Sequence, residues 1–204
     1  MTERRDFDAA AAAWDEEPRR VKLAGEIAAA IRENLPLSRE WDALDFGCGT
    51  GLVTLPLSQY LGSIVGLDSS QGMLERLRGK IESLGCLNVR TTLCNLENGE
   101  LPSGKFLLIT SAMTLHHIPE IVPVLLTLRG LLHPGGWIAL ADLESEEGNF
   151  HDDTTGVFHN GFSAEELSNM LKKAGFSSIS VNTVTKIARK DQLFPVLLAT
   201  AQSS

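Results

Sequence analysis

Residues 42 to 51 read Asp-Ala-Leu-Asp-Phe-Gly-Cys-Gly-Thr-Gly, an apolar run that passes directly into glycines at alternate positions, Gly47, Gly49 and Gly51. An apolar run of that length is a buried strand. Glycine immediately after it lets the backbone turn tightly and leaves room for a ligand where any Cβ would collide. The patterning after Gly51 is helical to about residue 61. A helix starting there points free N–H groups at the bend, where a carboxylate or other polar group can be held. A plain tight turn would use the same glycines, so the segment by itself fixes a strand-turn-helix unit and an α/β chain rather than a ligand.

The next 100 residues repeat that unit. Short apolar runs predict strands near 42–46, 63–68, 88–93, 105–111 and 136–142, and amphipathic stretches predict helices over 51–61, 70–84 and 119–132. Strands alternating with helices imply a mostly parallel sheet. Ahead of them, Val21, Leu23, Ala24, Ile27, Ala28 and Ile31 recur at helical intervals after Pro18, so residues 8–33 form one or two lead-in helices. His133-Pro134-Gly135-Gly136 reads as a turn into the fifth strand. Residues 144–161 are polar and acidic, longer than a connection needs, and read as a lid or wall at the carboxyl edge of the sheet rather than a plain solvated link. Ser163 with Glu166 three positions on is a capping box opening a helix to about 174, and strands near 178–187 and 193–201 complete the chain. The whole reads as one domain: a lead-in (1–40), a core (41–143), a loop (144–162) and a helix with a strand pair (163–204).

Composition narrows the partners. The 204 residues carry a formal charge of -8, which disfavours a broad grip on nucleic acid, since phosphate binding draws on clustered Lys and Arg. Cys48, Cys86 and Cys94 are odd in number and lack metal-type spacing, nothing at the N-terminus resembles an export signal, and no apolar run approaches a membrane span. A soluble, cytoplasmic protein is expected.

The second strand ends at Asp68, near the position where a ribose-binding acid sits in this topology. Its carboxylate can accept two hydroxyl hydrogen bonds, and a diol offers two. Asp68 is equally placed to cap the helix beginning near Ser70. A nicotinamide site would want a third glycine where Leu52 stands, so the spacing favours a nucleoside without a pyrophosphate.

Leu44 to Gly51, followed by Gly66-Leu67-Asp68-Ser69-Ser70-Gln71-Gly72-Met73-Leu74, resembles the class I S-adenosylmethionine-dependent methyltransferases. Leu107 to Ile118 is similar to the family's fourth strand and following loop, and Leu131-Leu132-His133-Pro134-Gly135-Gly136 to its entry into strand five. The resemblance covers residues 43–143 closely. It implies a Rossmann-like three-layer sandwich on a mostly parallel seven-stranded sheet with an antiparallel last strand. It also implies S-adenosylmethionine as cofactor and S-adenosylhomocysteine as product, and with a full cofactor half, an acidic surface and a loop-built acceptor region the expected acceptor is a small molecule. By the same resemblance Asp45 acts on the cofactor's amino group through water, beside the backbone of Gly47, Cys48, Gly49 and Gly51. Asp68 with Ser69 takes the ribose, Gln71-Gly72-Met73 lies beside the adenine, and Ser111 and Ala112 line the space near the sulfonium. Where many relatives carry an acid after the third strand, this chain reads Cys94-Asn95-Leu96-Glu97, so Asn95 and Leu96 are the candidates there.

A methyl on a sulfonium is already activated, so transfer needs alignment and exclusion of water more than covalent catalysis. A base helps if the acceptor must lose a proton, and histidine is the usual choice near neutral pH. His117 is the candidate base. His116, His151, His159, Phe162 and Trp14, with Phe7, are the candidate acceptor contacts, while His133 reads as structural. His151, His159, Asp142 and Glu144 fit no metal-binding spacing, and no metal is expected. A protein that only holds the cofactor, and a methyltransferase acting on protein or RNA, are the alternatives.

Overall fold

The computed structural model describes residues 5–96, 100, 102–189 and 191–204. Its centre is a seven-stranded sheet in the order β3-β2-β1-β4-β5-β7-β6. The strands are β1 (Asp42–Phe46), β2 (Ser63–Asp68), β3 (Val89–Leu93), β4 (Phe106–Ala112), β5 (Leu132–Leu143), β6 (Phe176–Arg189) and β7 (Gln192–Ser203). β1 through β5 pair in parallel, and β7 runs antiparallel between β5 and β6. The sheet order reverses direction between β1 and β4, so the crevice outside their carboxyl ends is the natural ligand position.

Helices cover both faces. On one side α2 (Pro18–Asn34), α3 (Thr54–Ser58) and α4 (Gln71–Leu84) pack, with Ile27, Ile31 and Leu57 buried against Ala43, Ile64, Leu108 and Ala139. On the other, α5 (Ile121–Gly130) and α6 (Ala164–Lys173) bury Leu125, Leu128, Leu167 and Leu171 against Leu44, Ile109, Ile138 and Leu140. Alternate residues of each strand therefore serve opposite layers. The helix starts follow local chemistry. Pro18 opens α2, Ser70 caps α4 through Met73 N–H, and Ser163 with Glu166 forms the expected capping box on α6. Ser70, not Asp68, is thus the cap of α4.

Two expectations are corrected. The Pro-Gly-Gly segment is not a turn before β5 but a bulge inside it. Phe106 pairs with Leu132 while Leu108 already pairs with Trp137, so residues 133–136 stand opposite Leu107 alone. The helix after the glycines is also shorter than its pattern, since regular α3 begins at Thr54 and Gly51 N–H is taken by Cys48 carbonyl at 2.9 Å. The short α1 (Phe7–Ala10) and a 3-10 turn over Ala11–Glu16 precede α2, and a further 3-10 turn spans Leu115–His117.

Candidate functional site

A cavity of about 520 Å³ opens at the carboxyl ends of β1, β2 and β4, a volume within the usual range for small-molecule sites. One half of it is built by the glycine turn. Gly47 and Gly49 both have positive φ, which glycine adopts without strain. A Cβ on Gly47 would sit 2.4 Å from Thr114 Cγ2, whereas one on Gly49 would meet nothing nearer than Met73 Sδ at 4.0 Å. Gly49 therefore offers open backbone to the cavity. Behind it, Asp68 accepts hydrogen bonds from Gly49 N–H at 2.7 Å and Ser70 N–H at 2.9 Å. Burial raises its carboxyl, and the backbone N–H bonds of Ser70, Gly49 and Ser69 oppose that rise. The Asp68 carboxylate also lines the cavity, with acceptor capacity left beyond these bonds. Asp45 lies deeper, 1% exposed, with Oδ2 accepting from Thr54 Oγ1 at 2.6 Å and Oδ1 from Thr110 Oγ1 at 2.9 Å. Burial pushes its carboxyl up to about 6, with Asp68 adding to the rise and both threonines opposing it. Cys48, Ser69, Met73, Cys94, Asn95 and Leu96 complete this half of the lining. Glu97 lies outside the described residues.

The N-terminal segment closes the cavity. Asp8 accepts from Gly72 N–H at 2.8 Å and Ser70 Oγ at 2.6 Å, so it ties α1 to the start of α4. Asp15 accepts from Thr50 Oγ1 at 2.5 Å and pairs with Lys80 Nζ at 2.7 Å. These ties set Phe7 edge-on to His117, ring centroids 5.1 Å apart, and bring Trp14 against Phe7. Both aromatics line the cavity.

The other half is histidine-rich. His116, 2% exposed, holds its Nδ1 2.7 Å from Asp142 Oδ1, and its backbone N–H donates to Asp142 Oδ2 at 3.2 Å. An ionised carboxylate only accepts, so Nδ1 carries a proton and donates it to Asp142. Burial alone would raise the Asp142 carboxyl, but the facing imidazole and the hydrogen bonds of His116 and Leu143 hold it below its usual value. His117 Nδ1 donates to Gly156 carbonyl at 2.7 Å. Burial and the adjacent His116 lower its imidazole to about 4. His151 stands with its ring 5.0 Å from that of His116, Nε2 buried without a hydrogen-bond partner, and is likewise lowered to about 4 by burial first and then by His116, Arg189 and Arg5. Phe150, Gly156 and Phe158 bring the 144–162 loop into the lining, and Phe158 N–H anchors it on His116 carbonyl at 2.9 Å.

The chain is similar to known proteins. A family model described as a methyltransferase domain matches residues 43–136, the span that holds the glycine turn, Asp68 and the histidine pair. An uncharacterised methyltransferase of Schizosaccharomyces pombe is 33% identical over 153 residues, covering 68% of this chain and 54% of that protein. The chain belongs to the class I S-adenosylmethionine-dependent methyltransferase family. The aklanonic acid methyltransferase of a Streptomyces strain is 28% identical over 110 residues, covering 52% of this chain and 50% of the relative. Among solved structures, a chain of the Haloferax volcanii complex between the Trm112 methyltransferase activator and a methyltransferase superposes with a TM-score of 0.80 at 18% identity, covering 98% of each chain, which bears on the fold. This chain spans about half the length of the first curated relatives it matches.

S-adenosylmethionine is the cofactor of that family, and the residues present suit it. The open Gly49 backbone, the acceptor capacity left on the Asp68 carboxylate and a buried Asp45 carboxyl with no cation beside it among the described residues are chemically suited, in turn, to the methionine chain, the ribose and the amino group. Met73 and Leu96 add apolar surface to the same half of the cavity.

Other expected contacts of a methyltransferase site fall elsewhere. Ser111 is 1% exposed and absent from the lining, because the pleat turns it toward α5 and α6 while Thr110 faces Asp45. Gly51 also lies behind the wall, where a Cβ would strike Leu77 Cδ1 at 2.3 Å. Gly72 faces Asp8 and Gln71 bonds Glu75, so of that trio only Met73 reaches the cavity. Phe162 is core, 2% exposed, and His159 Nε2 is spent on Ile118 carbonyl at 2.9 Å, so neither reaches the cavity. The cluster of His151, His159, Asp142 and Glu144 does not converge, and among the described residues no group of three His, Cys, Asp or Glu side chains is arranged to hold a metal. Sequence reading misses Asp8, Asp15, Thr54 and Thr110, as well as the arginines Arg5, Arg20 and Arg189 that line the acceptor half. Among the described residues no helix is long and apolar enough to cross a membrane.

Proposed function

We propose that this chain transfers the methyl group of S-adenosylmethionine to a small-molecule acceptor that gives up a proton as it is methylated. The observation that carries the reading is that one cavity joins the glycine-turn, Asp45 and Asp68 half to a half walled by His116, His117 and His151. Its enclosure by the N-terminal segment and the 144–162 loop suits a compact acceptor better than a polymer. The likeness to a methyltransferase named for aklanonic acid supports the same class.

When bound, the cofactor supplies a methyl group on sulfur that is open to in-line displacement. In this reading Asp45 holds the amino group, Asp68 the ribose hydroxyls, and Met73, Asn95 and Leu96 the adenine. His116 receives the acceptor's proton at Nε2, and Asp142 fixes the tautomer and stabilises the imidazolium that results. His117, held neutral and weakly basic, serves as a wall and hydrogen-bond acceptor. Phe7 and Trp14 keep bulk water from the transfer path.

Calorimetric titration with S-adenosylmethionine, S-adenosylhomocysteine and NADH, followed by incubation with methyl-labelled cofactor and a metabolite extract, tests the proposal. Binding of both adenosyl ligands with label entering a small-molecule fraction supports it. Binding without transfer to small molecules, protein or RNA would identify a cofactor-holding protein, label confined to protein or RNA would reassign the acceptor class, and binding of NADH alone would end the reading.

A further inference from the structure

The chain carries a net charge of -8, yet four arginines, Arg5, Arg19, Arg20 and Arg189, line this one cavity. Two of them are neutralised locally. Arg19 Nη2 lies 3.0 Å from Glu17 Oε2, and Arg189 bonds Asp152 together with the carbonyl of Phe150. Asp153, also on the lining, accepts from Thr155 N–H at 2.9 Å and faces solvent, with Arg5 acting on it only weakly and beyond ion-pair distance. Among the described residues, Arg5 and Arg20 have no carboxylate within ion-pair distance.

Those two guanidinium groups share one aromatic ring. Arg20 lies 4.0 Å from the Trp14 ring centroid and donates to Trp14 carbonyl at 3.3 Å, and Arg5 lies 5.8 Å from the same ring and 5.7 Å from that of Phe7. Stacking positions a guanidinium while leaving most of its N–H fork free. Burial and Arg5, with Arg189 and Arg19, lower the Arg20 pKa against the opposing pull of Glu17, whose carboxylate is bonded to Arg19 instead. His151 feels the same field, since Arg189 and Arg5 both disfavour its protonation, and its buried Nε2 has no partner. A cluster of fixed cations with free donors is preorganised for an anion. The walls beside it, Phe7, Trp14, Phe150 and Phe158, suit a flat apolar body.

We propose that the acceptor is a small, flat organic anion whose carboxylate or phosphate is held by Arg5 and Arg20, with its methylated atom turned toward the histidines. This rests on the methyltransferase reading above and names the substrate class of that site. The bidentate fork matches either anion, and the acceptor's negative charge complements the positive sulfonium.

The test is calorimetry on protein saturated with S-adenosylhomocysteine, titrated with 4-hydroxybenzoate against 4-hydroxybenzamide and with phenyl phosphate against phenol. At least one anion should bind about tenfold or more tightly than its neutral partner, the scale of one charge-assisted hydrogen-bond set. Which pair shows the preference separates carboxylate from phosphate. In a double variant carrying Arg5→Gln and Arg20→Gln the preference should vanish, while affinity for S-adenosylhomocysteine stays within about twofold and the double Lys variant keeps part of the preference. Equal binding of charged and neutral probes to the unmodified protein overturns the proposal without any variant. A preference that survives in the Gln variant does so as well. A loss of about tenfold or more in S-adenosylhomocysteine affinity in that variant would assign the arginines to the cofactor's own carboxylate, overturning the proposal but not the methyltransferase reading. Failure of the unmodified protein to bind S-adenosylhomocysteine would instead sink the methyltransferase reading itself.

Discussion

Replacing Asp45 by asparagine should stabilise the ligand-free protein at pH 8 and weaken its grip on the cofactor. Asp45 is 1% exposed, and burial lifts its carboxyl from 3.8 to about 6 in the fold. The folded state therefore holds the proton more tightly than the unfolded chain, so the group costs nothing below the unfolded value and its penalty grows as pH rises through the folded value. Two pKa units correspond to about 3 kcal/mol at pH 8, and linkage leaves about half of that at pH 5. The introduced amide does not titrate, and it keeps an acceptor and two donors for the Thr54 and Thr110 hydroxyls, which can rotate to suit. Urea unfolding at both pH values should show the variant gaining about 1 to 1.5 kcal/mol on the unmodified protein between pH 5 and pH 8. Titration with S-adenosylmethionine at pH 7 should show the reverse, an affinity lower by about 10- to 100-fold as one charge-assisted bond is lost. Below pH 6 the unmodified protein should itself bind the cofactor more weakly, because Asp45 must release a proton to meet an ammonium group. Parallel pH dependence of stability in the two proteins, or equal cofactor affinity at pH 7, would refute the assignment of a strained buried charge that the cofactor relieves.

What can be read in advance follows the range of the interactions. Gly47 to Gly51, the alternation of strands and helices, and the Ser163–Glu166 box are all written within a few residues of each other, and each has its expected partner in the structure. Ser111 is misplaced from sequence because the end of a strand is visible there but its facing is not. The register pairing Asp45 with Thr110 decides it, and a one-residue step reverses the face. The N-terminal ties are invisible for a different reason. Asp8 reaches Gly72 and Asp15 reaches Lys80, separations of 64 and 65 residues over which no local pattern carries. His159 and Phe162 lie in a stretch with turn-like composition, as expected. The turn, however, is pinned by a parallel bridge from Glu144 to Phe162 that directs Phe162 into the core. The arginines illustrate the last limit. Net charge describes the whole surface, whereas a site is set by which few charges face one another, and here an acidic chain gathers cations in its cavity.

Asp68→Ala should weaken S-adenosylmethionine binding by about 10- to 100-fold in calorimetry, since the hydroxyl contacts go and Gly49 N–H loses its anchor, and an unchanged affinity would displace the ribose from this acid. Asp142→Asn should slow methyl transfer by about 100-fold with cofactor affinity nearly unchanged, whereas His117→Ala should cost less than about tenfold, and the opposite ranking would return the base role to His117. Asp8→Ala should leave the sheet intact but expose residues 5–17 to limited proteolysis, and equal cleavage rates would show that Asp8 does not hold the segment. Gly161→Ala should cost about 2 to 4 kcal/mol in urea unfolding, because φ there is +79 and an added Cβ would stand 2.3 Å from Glu144 carbonyl oxygen, backbone that no rotamer change can move. Relief would require residues 143–162 to part at the Glu144–Phe162 bridge, drawing Phe162 from the core and loosening the loop that His116 and Ile118 carbonyls hold. The variant should therefore lose acceptor turnover before cofactor binding, and a variant with unchanged stability and turnover would show that the loop is not seated by this turn.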